Sequence, residues 1–174
     1  AVRKREKGRV HLDGFLSYPS AVYTVPYGVM VPKEVDNLLL PVPVSGSHIG
    51  FSTLRMEPCW MAMGQAAGIA SALSIDGKVK VQNIDLSRLQ DKLIDQKATL
   101  MYFKDVDYTS PHFRMVQYLG LRGYLPEWTA RLQEPVDATT LAAWKKLSGT
   151  DLPGIEAGKT TRLATLEMIY QKIK

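Results

Sequence analysis

Cysteine is the scarcest residue type: Cys59 stands alone among 174 residues, so no disulfide and no redox dithiol can form within the chain. Also missing is the strand, G-x-G-x-x-G turn and helix that seat a dinucleotide pyrophosphate, with a ribose-binding acid about 20 positions on. None of the 13 glycines has that spacing. Gly154 and Gly158 precede Lys159 but stand too close for a G-x-x-x-x-G-K-[ST] phosphate loop. No run of about 18 apolar residues offers a membrane-spanning helix, and the basic start, Arg3, Lys4, Arg5, Lys7 and Arg9, leads into no apolar signal segment. A strong charge imbalance is lacking too: 22 basic and 17 acidic residues give +5. A basic arm that short reads as a solvated edge strand or a chain end, and nucleic acid is not expected as a partner. With 45% hydrophobic and 22% charged residues and a mean hydropathy of −0.11, the chain can bury one sizeable core or two small ones.

The most informative stretch runs from Tyr27 to Leu73. Leu38 to Val44 reads as a buried strand, and Ser45-Gly46-Ser47-His48-Ile49-Gly50-Phe51-Ser52 as a loop of small and polar groups. Pro58 reads as a helix start, because a first-turn proline lacks an N–H that would have had no intrahelical partner. Beyond it, Gly64, Ala67, Gly68, Ser71 and Ala72 fall at three- and four-residue spacings, which leaves one helix face almost without bulk. Such a face suits either a tightly packed core helix or close approach to a flat ligand. Free N–H groups and a partial positive charge at the helix N-terminus suit an anion or an electron-rich carbonyl edge. Cys59 at that terminus is either an inert packed thiol or one activated by the helix dipole.

These residues carry a resemblance. Pro32 to Leu40, Ser45 to His48, Ser52, Leu54, Arg55, Pro58, Met61 and Gly64 to Gly68 resemble the C-terminal end of FAD-dependent oxidoreductases, where a PKEVDNLLV-like run precedes S-A-[ST]-H, G-S-x-R-x-x-P and a helix with M-x-x-G-Q-A-A-G. The resemblance implies that this segment closes the site against the isoalloxazine ring of FAD. It implies flavin contact by Ser47, Ser52 and the helix start Pro58, Cys59, Trp60 and Met61, with His48 and Arg55 as catalytic candidates. His48 either exchanges a proton near the ring or bonds to loop backbone. Arg55 either holds a substrate or cofactor anion or pairs with Glu57 or Glu34. Many members carry a Gly-Arg pair after the strand; here Leu40-Pro41-Val42-Pro43-Val44 is one residue shorter and has no arginine. That variant resembles a subgroup labelled xanthan lyase. A lyase needs a base and an enolate-holding cation, for which Tyr27, His48 and Arg55 can be nominated.

Downstream, Asp85 caps a helix with Leu86, Leu89, Leu93 and Ile94 on one stripe to about Ala98. Ser110-Pro111 opens a helix with Phe113, Val116, Tyr118 and Leu119 that stops at Gly123. Asp137 caps a third with Leu141, Trp144 and Leu147, ending at Gly149. Thr160 or Thr161 starts the last, with Leu163, Leu166, Ile169, Tyr170 and Ile173 inward. The order Phe103-Lys104-Asp105-Val106, Ser110-Pro111-His112-Phe113, Gly123-Tyr124-Leu125-Pro126-Glu127-Trp128 and Thr161-Arg162 resembles one degenerate S-layer homology unit, lacking the glutamate usual after Thr-Arg. That implies a docking or stabilising role ahead of wall-polymer binding, and a bacterial periplasmic or cell-surface setting ahead of the cytoplasm. Trp144 reads as core, and Trp128 as either a sugar-stacking platform or a lid on the small core.

The expected fold class is α+β, mainly helical: residues 1–100 form the C-terminal portion of an FAD-dependent oxidoreductase domain and residues 101–174 a small helical unit. The expected function is completion of a flavin and substrate site, the partner being a missing N-terminal half of the same polypeptide, without which the piece is inactive. No metal site is expected. A non-catalytic glycan- or partner-binding module, and more remotely a polysaccharide lyase with a saccharide-related substrate, are the alternatives.

Overall fold

The computed structural model describes residues 3–6, 9–12 and 20–174. The basic start forms a two-stranded antiparallel hairpin, β1 (Arg3–Glu6) and β2 (Arg9–Leu12), with Arg3 opposite Leu12 and Glu6 opposite Arg9. It is the one sheet among the described residues. The remainder is helical, so the mainly helical part of the expectation holds.

The strand expected from Leu38 to Val44 is absent; the segment is irregular. Pro41 and Pro43 have no N–H to donate to a ladder. Its attachment is two bonds to the 3-10 turn Tyr27–Met30: the Leu40 N–H donates to the Met30 carbonyl at 2.8 Å and the Ser45 N–H to the Val29 carbonyl at 2.7 Å. The expected loop Ser45–Ser52 is also corrected. Its second half enters helix α1 (His48–Leu54), where the Ser47 hydroxyl oxygen caps the first turn by accepting from the Gly50 N–H at 3.0 Å.

Helix α2 (Glu57–Gly77) follows after two residues, with Pro58 as its second residue, and ends at Lys78 in the left-handed region, φ 50°. Its 21 residues span about 31 Å at 1.5 Å each. Met63, Ala67, Ala70 and Leu73, spaced four, three and three, are buried. Their partners are Met30, Val44 and Leu54 near the helix start and Ile84, Leu89 and Leu93 further along. Tyr27, Leu39 and Ala66 touch both groups and join them into one strip. A second 3-10 turn, Val81–Asn83, leads to α3 (Leu86–Asp95), whose cap Asp85 accepts from the Ser87 and Arg88 N–H groups. Leu89, Leu93 and Ile94 point inward as expected; Leu86 does not, and is exposed.

Helices α4 (Phe113–Leu121), α5 (Ala138–Ser148) and α6 (Arg162–Ile173) enclose a separate core. Helix α4 is its axis, with every residue from Met115 to Gly120 buried. A Cβ at Gly120 would stand 3.0 Å from the Phe103 ring, so glycine lets that ring lie close on the helix without a shift. The expected cap, Ser110, instead shapes a turn by accepting from the His112 N–H, and α4 starts three residues on. Trp144 is core, its indole N–H donating to the Tyr124 carbonyl at 2.7 Å, whereas Leu147, expected inward, is exposed. Among the described residues no helix is long and apolar enough to cross a membrane.

Asp137 caps α5 by accepting from both the hydroxyl and the N–H of Thr140, and these bonds hold its carboxyl below the usual carboxylate range. A folded-state pKa below the unfolded one adds stability above the unfolded value and loses it as pH falls through the folded value. Asp137→Ala is therefore expected to lower the melting temperature at pH 7, with the gap to wild type closing in acid. Melting curves from pH 7 down to pH 2 check this, and a gap that stayed constant would show that the carboxylate is not what matters.

Candidate functional site

Helix α1 supplies the first half of the candidate site. His48, Ser52 and Arg55 are spaced four and three residues apart, so they share one helix face. All three are exposed, while Leu54 is buried and Phe51 packs beside it in the core with Met63. The Ser52 hydroxyl donates to the Ile49 carbonyl at 2.5 Å. Arg55 ends α1, its N–H donating to the Phe51 carbonyl, and among the described residues its guanidinium pairs with neither Glu57 nor Glu34. Ser47 and His48 head α1, about 10 Å from Arg55 along the helix axis.

The start of α2 supplies the second half. Met56 at the cap position offers no side-chain acceptor, so the first-turn N–H groups of Glu57 and Cys59 face outward unsatisfied by a cap. Pro58 is exposed and Met61 is 76% exposed. Cys59 is partly buried, its Sγ 3.9 Å from the Thr53 carbonyl oxygen, as an inert packed thiol would be. Trp60 packs into the core beside Leu54 and Met63, yet its buried indole N–H has no hydrogen-bond partner among the described residues. An unmade bond of that kind costs about 1–3 kcal/mol.

Two residues separate α1 from α2, so Ser52 and Arg55 stand within a few positions of the Pro58–Met61 turn along the chain. Tyr27 does not join them. Its hydroxyl donates to the Val81 carbonyl at 2.9 Å, beyond the far end of α2, and burial pushes its pKa up. A shallow hollow of about 480 Å³, lined by Asn37, Ser71, Ile75, Lys78 and Lys80 among others, also lies at that far end. No cluster of metal-ligating residues occurs among the described residues.

The small-residue face of α2 is bare. Gly64, Gly68, Ser71 and Ala72 are exposed, and a Cβ built on Gly64 or Gly68 meets nothing within 4 Å. The core-helix reading holds for Ala67, which is buried in the core, whereas the two glycines pack closely against nothing among the described residues. Met61 and Ile75, 76% and 75% exposed, lie on the same side.

One group of residues was not singled out from the sequence. Asn37, at φ 56°, accepts from the Val81 N–H; the Gln82 side chain donates to the Val35 carbonyl; the Lys80 ammonium pairs with Asp36 at 2.5 Å. Asp36-Asn37 thus latches the turn after α2. The signal was present in Asn37, one of the few residue types that tolerate the left-handed region.

Comparison with known proteins bears on the same segment. A family described as FAD dependent oxidoreductase matches residues 4–93. No curated protein and no solved structure matches the chain. FAD is the cofactor that the family implies. The uncapped N–H groups that open α2 are donors of the kind the ring edge of such a group accepts, and no G-x-G-x-x-G turn for its pyrophosphate occurs in the sequence. The match takes in both strands and α1, α2 and nearly all of α3, more than half of the 174 residues, and the chain belongs to the FAD dependent oxidoreductase family.

Proposed function

We propose that this chain is the C-terminal part of an FAD-dependent oxidoreductase and completes its flavin and substrate site. The observation that supports the reading is the exposure of His48, Ser52 and Arg55 on and at the end of α1, followed two residues on by the uncapped start of α2. The first-turn N–H groups of α2 would hold the electron-rich edge of the ring, and Arg55 would hold an anionic group of the substrate or cofactor. His48, exposed and at the helix start, would hold or release a proton beside the reacting atoms. When bound, the flavin supplies hydride or electron transfer. The bare α2 face would then receive the part of the polypeptide that carries the dinucleotide turn, and both pieces together would exclude water from the ring.

The test is made on the full-length polypeptide: purify it and record its absorption for flavin bands near about 370 and 450 nm. The expected result is a yellow protein, with flavin affinity reduced at least about tenfold in Arg55→Ala, equivalent to about 1.4 kcal/mol. A colourless protein that also fails to take up added FAD would overturn the proposal.

One observation favours a second reading, in which the helices after residue 100 bind a saccharide. Trp128 is 46% exposed and meets the exposed Tyr102 ring edge to face at 6.4 Å, with the Lys104 ammonium 5.9 Å from the indole centroid. The platform is held from behind, since the Lys104 N–H donates to the Trp128 carbonyl and Asp105 accepts from the N–H groups of Ala130 and Arg131. Affinity electrophoresis through soluble polysaccharides, comparing wild type with Trp128→Ala, decides it. Equal mobility in every gel would leave Trp128 as a lid.

A further inference from the structure

We infer that the segment Thr99–Met101 is a lock and not a hinge, so that the helices after residue 100 form one rigid body with α2 and α3 and are not a module carried on a tether. Three observations converge. The first is that neighbouring residues enter different cores: Leu100 packs with Ala70, Leu73, Leu89 and Leu93, while Met101 packs with the core around α4 and α6. A segment whose consecutive side chains, each partly buried, pack against two different cores cannot rotate without uncovering one of them.

The second is Gln117 on α4, whose side chain is fully buried. Its Oε1 accepts from the N–H groups of Leu100 at 2.8 Å and Met101 at 2.7 Å, and its Nε2 donates to the Met101 carbonyl at 2.7 Å. One side chain thus satisfies three main-chain groups of the connecting segment in a place where water cannot replace it. The third lies on the rim. Arg114 of α4 pairs with both Asp91 and Asp95 of α3, and Lys174, just beyond α6, reaches the same Asp91 at 3.4 Å. The Lys97 ammonium sits 5.7 Å from the Phe113 ring centroid across the same seam. Exposed pairs contribute little individually; their geometry matters here because all of them hold α3 against α4 and α6 in one register.

Native-state hydrogen exchange of the 174-residue chain in rising urea tests the inference. One body requires that the slowest amides of α3 and α4 converge on a single opening transition, and that Gln117→Ala accelerates exchange in both helices by at least about tenfold. If Gln117→Ala does not fold, Arg114→Ala, altered at a partly exposed position, is read in the same way, with several-fold faster exchange expected in α3. Separate transitions for α3 and α4 in the wild type, or acceleration in the variant confined to α4, would overturn the lock and restore a hinged module.

Discussion

Leu166→Ala is expected to destabilise the chain by about 3 kcal/mol, the middle of the range for a buried leucine truncated to alanine. Leu166 is fully buried on α6, in the core it shares with Val116, Leu119, Val136 and Trp144. The cost depends on whether the neighbours can collapse into the space, and here they are tied. The Thr161 hydroxyl caps α6, Pro135 and Thr161 form a β-bridge, and the Arg162 side chain donates to the Ala130 carbonyl at 2.9 Å. Helix α6 cannot slide inward without breaking these bonds, so most of the cavity persists. Urea unfolding should show an unchanged slope and, for a slope of about 2 kcal/mol/M, a midpoint lower by about 1.5 M. The control is Leu147→Ala on α5, expected within about 0.5 kcal/mol because that side chain is 51% exposed. Equal losses in the two variants would mean that the assigned core is wrong.

That pair of leucines also marks what the sequence could convey. Helices α3, α5 and α6 were legible because each carries its own start signal: Asp85, Asp137 and Thr161 all accept a backbone N–H from the first turn. Periodicity then gives a stripe, but not its width. Leu86 and Leu147 lie on the stripes of their helices and are left exposed because no other element reaches them. The strand proposed for Leu38 to Val44 failed for a related reason. An apolar run indicates burial, and Val44 is indeed buried, but a strand also needs a neighbour with free ladder groups and donors of its own, and the prolines at 41 and 43 withhold theirs.

Helix α1 was hidden by its composition. Gly46, Gly50 and the serines around His48 have the character of a loop, and seven residues are too few to be helical on propensity alone. The Ser47 cap and the packing of Phe51 and Leu54 supply the rest. For this reason His48, Ser52 and Arg55 were expected on one open face beside the Pro58 helix start, while the helix that carries them was not. Only a helix makes the spacing of 48, 52 and 55 a single face.

The bare face of α2 yields the most discriminating expectation. A glycine inside a helix costs up to about 1 kcal/mol relative to alanine, and neither Gly64 nor Gly68 gains anything in return from the described residues, since a Cβ at either meets nothing within 4 Å. Gly64→Ala combined with Gly68→Ala should therefore stabilise the 174-residue chain by about 1–2 kcal/mol in urea unfolding. If α2 receives a second surface in the longer polypeptide, the same positions lie where two backbones, or a backbone and the flavin, approach most closely. There Gly68→Leu is expected to reduce flavin affinity by at least about tenfold, equivalent to about 1.4 kcal/mol, while leaving the folding of this chain intact. The sign reversal separates the two explanations of the glycines. Stabilisation in the short chain with unchanged flavin affinity in the long one would mean that this face stays in solvent and that the ring is closed off without it.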